Sequence, residues 1–450
     1  MPEAMLLRHG EARLPRYTSY PTAPVFTREV NAATYAQWLG ALAPDEPVSL
    51  YLHVPFCRSM CWYCGCHTTI TARDGPIEAY LAALHAELEL VAAQTPAPLA
   101  VAALHFGGGT PTIMGPERFC ALMAALRRHV RFTAGAELAI EIDPRTLTGP
   151  MIDALAAGGI NRASLGVQSF DPAVQQAINR VQSVAETAAA VTGLRAAGIG
   201  RINFDLIYGL PLQTVESCLD TVEAALALEP DRFAVFGYAH VPEFKKHQRL
   251  IDEAVLPDGA RRIATAQAIG EALVAAGYRP VGLDHFARGD DGLAAAVETG
   301  QLHRNFQGYT TDACPNLIGL GASAIGQTRA GYVQNEVAIG RYRQAIAAGR
   351  LATVRGYRLT ADDRLRAEII ERLMCDLGAD VAAIAARHGA DAAALLAGNA
   401  RLHALVDEGV AEIDSGVVRI PLRHRFLVRT VAAAFDAYLD AVRRPGSKVA

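Results

Sequence analysis

YLHVPFCRSMCWYCGCH, Tyr51 to His67, is the stretch around which the chain is organised. It starts inside an alternating apolar run, VSLYLHV (48–54), which has the period of a half-buried strand, and passes into a loop carrying Cys57, Cys61, Cys64 and Cys66. Four of the chain's eight cysteines therefore fall within ten residues. Three of them form a C-x3-C-x2-C triplet, with the aromatic Tyr63 just before the last. Closely spaced thiolates on a loop leaving a strand can converge on one inorganic centre and bind it deprotonated. Zinc or a disulfide is the plainer alternative, because soft thiolates suit zinc as well as iron–sulfur clusters. Zinc sites usually pair C-x2-C with a second, distant Cys or His couple, and no such couple follows downstream.

Composition bounds the rest. A chain of 450 residues, 51% hydrophobic and 20% charged, suits a barrel-sized unit plus a smaller one, with ample core. A net charge of -4 gives no polyanion-binding signature, so nucleic acid is not an expected partner. Residues 1 to 22 lack an apolar signal-like core, and no run reaches the roughly 18 apolar residues of a membrane span. A cytoplasmic protein without a membrane span is expected. Cys120, Cys218, Cys314 and Cys375 lie scattered and are expected to be buried small apolar residues, consistent with a reducing compartment.

Outward from the cysteine loop a unit repeats: a short β-rich run, a polar or Gly-rich turn, then an amphipathic stretch. The runs are VSLYLHV (48–54), VAALHF (101–106), ELAIEI (137–142), RASLGVQ (162–168), RINFDLIYG (201–209) and RFAVFGYAHV (232–241). After Pro76, Ile77, Tyr80, Leu81, Leu84, Leu88 and Val91 recur at helical spacing. Further helices are expected from near Pro116, Pro150, Pro172, Thr214 and Asp258, with Gly158, Gly198 and Gly277 at or beyond their ends. Such alternation predicts a parallel sheet with right-handed crossovers, open or curled into a barrel. In such sheets the ligand site lies outside the carboxyl ends of the strands. Polar groups recur there: the cysteine loop, Gly107-Gly108-Gly109-Thr110, Glu141-Ile142-Asp143, Gln168-Ser169, Asp205, and Tyr238-Ala239-His240. A triple glycine is more often a turn than a cradle, though it lets backbone approach a ligand and expose N–H groups to it. A lone strand Glu is commonly solvated. Recurrence on one rim favours a site.

These residues carry a resemblance. The cysteine triplet followed by a Gly-Gly motif on the next strand resembles the radical S-adenosylmethionine superfamily. More narrowly, the chain is similar to the oxygen-independent coproporphyrinogen III oxidase family, through RYTSYPT (16–22), YLHVPFC (51–57), CGCH (64–67), HFGGGTPT (105–112), EIDP (141–144), GVQSFD (166–171), INR (178–180), FDLIYGLP (204–211), YAHVP (238–242), DHFA (284–287) and RNFQGYTT (304–311). The resemblance implies an α/β fold, a partial (β/α)6 TIM-like barrel with an N-terminal arm and a mostly helical C-terminal domain. It further implies that Cys57, Cys61 and Cys64 hold three irons of a 4Fe–4S cluster, leaving the fourth for S-adenosylmethionine. Cleavage to a 5′-deoxyadenosyl radical would then take a hydrogen from a substrate propionate, and two propionates of coproporphyrinogen III would become vinyl groups.

The family is similar in binding two S-adenosylmethionine molecules. Tyr51, Gly108 and Glu141 match positions at the first, where a carboxylate suits ribose hydroxyls. Tyr63, Gly109, Thr110, Gln168, Arg180 and Asp205 match positions at the second, with Arg180 placed to pair with its carboxylate. Ala239 and Ile325 match apolar contacts. Cys66 is not a ligand in this pattern; it is either a small residue packed under the loop or a thiol near the substrate. Arg16, Lys245, Arg249 and Arg304 are candidates for the carboxylates of the tetrapyrrole, although a solvated surface role is the commoner fate of such residues. Glu243 departs from the apolar or aromatic residue usual after YAHVP, which puts one pocket-wall contact in doubt. An electron donor such as a flavodoxin or ferredoxin and a monomeric state are expected.

Three units are expected: an N-terminal arm (1–35), frayed or folded back over the site; a catalytic domain (36–350); and a mostly helical lid (351–450). In the last, Thr360 and Asp363 suggest a helix cap, with Leu365, Ile369, Ile370 and Leu373 on an apolar face. Helices near 380–388 and 391–409, a hairpin turning at Ser415-Gly416, and a final helix should follow. Such a unit resembles a winged-helix DNA reader, but without a basic face a lid fits better. A haem chaperone of the same superfamily, a radical methyltransferase and a zinc-bound module are the alternative functions.

Overall fold

All six β-rich runs become strands of one sheet: β1 Val48–Val54, β2 Leu99–Gly108, β3 Val130–Ile142, β4 Arg162–Gln168, β5 Arg201–Tyr208 and β6 Arg232–Gly237. They are mutually parallel and lie side by side in chain order. Crossovers of this kind need a dozen or more residues, and helices supply them: α1 Gly75–Gln94, α2 Pro116–His129, α3 Gly149–Gly158, α4 Val184–Ala196 and α5 Val215–Leu226, with α6 Gly259–Ala275 after β6. The result is an α/β fold, a partial (β/α)6 barrel. It is seen in a computed structural model that describes residue 9, residues 12–440 and the backbone of 447–448.

The local signals act as expected. The apolar face of α1, Ile77 to Val91, is buried against the sheet. Thr214 and Ser217 form a capping box on α5, and Asp258 accepts from Arg261 N at 2.8 Å to start α6. Two strands differ from expectation. β3 begins at Val130, pairing first with 99–101 and then, after an excursion through Gly135 at φ 77, with 103–106. β6 stops at Gly237 instead of reaching 241, because its neighbour β5 ends at Tyr208 and turns away at Gly209, leaving residues beyond without a ladder.

The sheet is also wider than the six runs. On one side β8 His285–Ala287 adds antiparallel to β6, and β7 Arg279–Val281 adds antiparallel to β8 at the edge. On the other, β9 Leu317–Leu320 runs parallel to β1, followed by the antiparallel β10 Ile325–Thr328, β11 Gly331–Asn335 and β12 Thr353–Arg358. The main sheet thus continues to Arg358, and the helical part begins with α7 Ala361–Asp376, started by the Thr360–Asp363 capping box.

Leu365, Ile369, Ile370 and Leu373 of α7 are buried in a second apolar core. The single helix expected over 391–409 is two, Ala392–Ala397 and Ala400–Asp407, because the Asn399 side chain caps a fresh start by accepting from Leu402 N at 3.0 Å. The hairpin pairs Glu412–Asp414 with Val417–Arg419 through Ser415 (φ 50) and Gly416 (φ 84), and gains a third strand, Gly378–Asp380. Of the scattered cysteines, Cys218 and Cys375 are buried and Cys314 half-buried, but Cys120 is exposed on α2, on the helix face away from the sheet. Among its described residues the arm is folded back. Tyr17 and Tyr20 are buried in the second core, Tyr17 OH donates to Asp436 Oδ2 at 3.0 Å, and Tyr20 OH accepts from Ala437 N at 2.9 Å. The remaining arm residues, 1–8, 10 and 11, lie outside the described residues.

Candidate active site

The carboxyl ends of β1 to β6 surround a cavity of about 730 Å³, bordered on its open side by Leu14 to Arg16 of the arm. That volume lies in the usual range of a small-molecule or cofactor site. Cys57, Cys61, Cys64 and Cys66 all border it and all are free thiols.

Each thiol of the triplet receives hydrogen-bond donors. Thr68 Oγ1 donates to Cys57 Sγ at 3.4 Å, and Thr110 Oγ1 lies 3.4 Å from the same sulfur. Arg145 Nη2 and Arg180 Nη1 each reach Cys61 Sγ at 3.6 Å, and the Cys66 backbone N–H points at Cys64 Sγ at 3.4 Å. Donors aimed at sulfur stabilise it as an anion, the form that ligates iron. A hydrogen bond with Cys66 holds the Cys64 thiol below its ordinary value, and the same bond together with burial pushes Cys66 up. Burial raises Cys57. Among the described residues no three Cys, His, Asp or Glu side chains gather as they would round a single metal ion. The donor set, three sulfurs at one cavity each met by hydrogen-bond donors, fits an iron–sulfur cluster.

The glycine strand end behaves differently from expectation. Its N–H groups are not presented to a ligand: Gly108 N donates to Glu141 Oε2 at 3.1 Å, Gly109 N to Val54 O at 2.9 Å and Thr110 N to Phe56 O at 2.8 Å. The glycines are required by close packing, since a Cβ on Gly108 would stand 2.6 Å from the His53 ring and one on Gly109 would meet the Phe56 backbone. The strand end holds the cysteine loop in place, and Gly108, Gly109 and Thr110 still border the cavity.

Glu141 also faces His105 Nε2 at 3.3 Å, and Tyr51 stacks on His105 with ring centroids 5.9 Å apart. Tyr51 itself donates to or accepts from His53 Nδ1 at 2.9 Å and does not border the cavity. Gln168, at φ 67, sits at the end of β4. Next to it Arg180 is 6% exposed, donating to Gly166 O at 2.6 Å and pairing with Asp143 at 3.3 Å. Burial works against the Arg180 charge, but Tyr63, Asp143 and Cys61 outweigh it and raise its pKa. Its Nε is buried without a partner among the described residues, an orphaned donor on a residue that lines the cavity. Asp205 is pushed up to about 7 by burial and then by Glu141, against hydrogen bonds from Asn203 at 2.8 Å and Ser164 at 3.1 Å. Orphaned Arg180 Nε, the Glu141 and Asp205 carboxylates and the small residues beside them fit the carboxylate and ribose of S-adenosylmethionine.

Tyr63 and Ala239 border the cavity and share Gln248, whose Nε2 donates to both carbonyls at 2.9 and 3.2 Å. Ile325 does not border it: β10 lies two strands beyond β1, and its carbonyl packs on Gly319. Of the basic candidates, Arg16 and Lys245 border the cavity, Arg304 borders a smaller adjoining pocket, and Arg249 borders neither. Glu243 is exposed and meets Arg13 at 3.4 Å, while its neighbour Phe244 takes the wall position. Sequence reasoning missed Arg145, Thr68 and Gln248; Arg145, two residues after Asp143 on the EIDP motif, carried the one usable signal.

Comparison with known proteins agrees with this geometry. Residues 51–225 match the model for the radical SAM superfamily, and residues 359–427 that for the HemN C-terminal domain. The chain is 60% identical to an oxygen-independent coproporphyrinogen III oxidase of Bradyrhizobium diazoefficiens, covering 97% of both chains. It is 45% identical to one from Cereibacter sphaeroides, over 95% of each. The solved coproporphyrinogen III oxidase of Escherichia coli, described as a radical SAM enzyme, superposes with a TM-score of 0.90 at 39% identity, covering 94% of this chain and 98% of that one. The chain belongs to the oxygen-independent coproporphyrinogen III oxidase family of the radical S-adenosylmethionine superfamily, whose members work with a 4Fe–4S cluster and S-adenosylmethionine.

Proposed function

We propose that this protein decarboxylates two propionate side chains of coproporphyrinogen III to vinyl groups without oxygen, giving protoporphyrinogen IX in haem biosynthesis. The observation that carries the reading is the meeting of Cys57, Cys61 and Cys64 with Glu141, Arg180 and Asp205 at one cavity.

In this reading Cys57, Cys61 and Cys64 are the three cluster ligands. A bound 4Fe–4S cluster with S-adenosylmethionine would supply the one-electron radical chemistry that removes hydrogen at the propionate β-carbon, with CO2 leaving and one electron passing to an external acceptor as each vinyl group forms. The protein's residues do the positioning. Thr68, Thr110, Arg145 and Arg180 stabilise anionic sulfur through the hydrogen bonds described above. Glu141, braced by Gly108 N and backed by Tyr51, takes the ribose hydroxyls of the first S-adenosylmethionine. Arg180 offers its orphaned Nε to the carboxylate of a second, with Tyr63, Gly109, Thr110, Gln168, Asp205 and Ala239 around it. The raised pKa of Asp205 lets it carry a proton near neutrality and donate to that ligand. Arm residues 14–16 and Phe244 close the cavity against water.

We further assign residues 12–35 as an arm over the site, 36–358 as the catalytic domain, extended past the expected 350 because β12 is part of its sheet, and 359–440 as a lid, working as a monomer in the cytoplasm with a flavodoxin or ferredoxin as donor. Among the described residues no helix is long and apolar enough to cross a membrane. The test is anaerobic: reconstituted protein, reductant, S-adenosylmethionine and coproporphyrinogen III should yield protoporphyrinogen IX and 5′-deoxyadenosine. Deoxyadenosine with untouched tetrapyrrole would sink the substrate assignment.

A further inference from the structure

Off the main cavity, past Arg16, Phe236 and Gly237, opens a second pocket of about 40 Å³. It has space for a group of a few atoms and not for a macrocycle. Three guanidiniums, Arg16, Arg304 and Arg429, face one carboxylate, Asp284, across walls made of Phe236, Leu283, Phe286 and Phe426. Asp284 is already engaged by His285 Nδ1 at 2.7 Å, and Arg429 by the carbonyls of Leu14 and Pro15.

Arg304 is the unusual member. It lies over the Tyr309 ring with Cζ 4.4 Å from the centroid, and Nη2 reaches Arg16 O at 3.4 Å. Among the described residues its Nε and Nη1 are buried with no hydrogen-bond partner. A guanidinium presents its donors in one plane, and buried donors left unpaired are costly, so Nε and Nη1, on different edges of that plane, each call for an acceptor. Among the described residues the Arg16 guanidinium, which lines the same pocket, makes no hydrogen bond or close ion pair either. Burial, then the charges of Arg16 and Arg304, bring Arg429 down to about 9.

We propose that Arg304 and Arg16, backed by Arg429, clamp one propionate carboxylate of the tetrapyrrole in this pocket, a subsite that rests on the functional reading above. The apolar walls take the propionate methylenes and the guanidiniums take the carboxylate. The pocket lies against β5 and β6, whereas the cysteine loop leaves β1 at the other end of the six-strand order. The clamped propionate is therefore an anchor that orients the macrocycle while another propionate reacts.

The test measures anaerobic binding of coproporphyrinogen III, and of its tetramethyl ester, to cluster-loaded protein with S-adenosylmethionine and no reductant. Bound tetrapyrrole is quantified after oxidation to the fluorescent porphyrin. Arg304→Met should weaken the tetra-acid on the order of 30-fold and leave the uncharged ester within about twofold, since losing one partner of a buried charged pair costs that much. Arg16→Met, on the arm and away from the Tyr309 stack, should shift the same ratio in the same direction if Arg304→Met folds poorly. Iron content should match wild type in both. Unchanged affinity of both variants for the tetra-acid, with wild type turning it over, overturns the clamp and leaves the function standing. A wild type that neither binds nor converts the tetrapyrrole overturns the function, and the clamp with it.

Discussion

Gly109→Ala should unseat the cysteine loop. A Cβ at this position would stand 2.8 Å from Phe56 C and N and nearer still to Phe56 O, where ordinary contact begins at 3.4 Å. All three atoms are backbone, so no side chain can swing aside. Relief requires the two segments to part by at least roughly half an ångström, which is overpacking at about 1–3 kcal/mol. It also stretches the bonds from Gly109 N to Val54 O and from Thr110 N to Phe56 O, worth about 1 kcal/mol each. Together these predict a loss of about 3 kcal/mol. Phe56 immediately precedes Cys57, so the displacement passes straight to the first ligand of the triplet. The assay pairs urea unfolding with iron per chain after anaerobic reconstitution. Gly149→Ala, where a Cβ meets nothing within 4 Å, is the control and should stay within about 0.5 kcal/mol of wild type. A Gly109→Ala protein with wild-type stability and wild-type iron would refute the packing argument.

Other consequences can be checked separately. Arg180→Met should bind one S-adenosylmethionine per chain by equilibrium dialysis where wild type binds two, and two retained at wild-type affinity would remove Arg180 from the second site. Tyr17→Phe leaves Asp436 short of a buried donor and should cost about 1–3 kcal/mol, with earlier proteolysis of the arm; an unchanged digestion pattern counts against the docking bond. The Asp205 carboxyl holds its proton more tightly folded than unfolded, so its contribution to stability is present at low pH and lost as pH rises from about 3.8 to about 7. Wild type should therefore lose stability over that window relative to Asp205→Asn, and parallel pH profiles would contradict the raised pKa. Cys57→Ser, Cys61→Ser and Cys64→Ser should each lose the cluster while Cys66→Ser keeps it; iron loss in the last would make Cys66 a ligand.

The barrel was legible because its strands are long and its helices start on Pro, Thr or Asp signals that act locally. β9 to β12 were not: runs such as Leu317–Leu320 are too short to show a period, and they become strands only because β1 offers a free edge. The glycines were found but their job was misjudged, since only coordinates reveal that Val54 O and Phe56 O take their N–H groups. Cys57, Cys61, Cys64, Glu141 and Asp205 could be placed on one rim by counting strands. Thr68 and the Arg304–Arg429 cluster could not, because they meet through loop geometry and domain contact, neither of which leaves a periodic trace.

The most direct measurement follows one atom. Coproporphyrinogen III deuterated at the propionate β-carbons is incubated anaerobically with the reduced, cluster-loaded protein and S-adenosylmethionine, and the 5′-deoxyadenosine is weighed by mass spectrometry. The account predicts one deuterium carried into each deoxyadenosine, with one vinyl group formed per deoxyadenosine and so two deoxyadenosines per protoporphyrinogen IX. Unlabelled deoxyadenosine beside untouched propionates would contradict it.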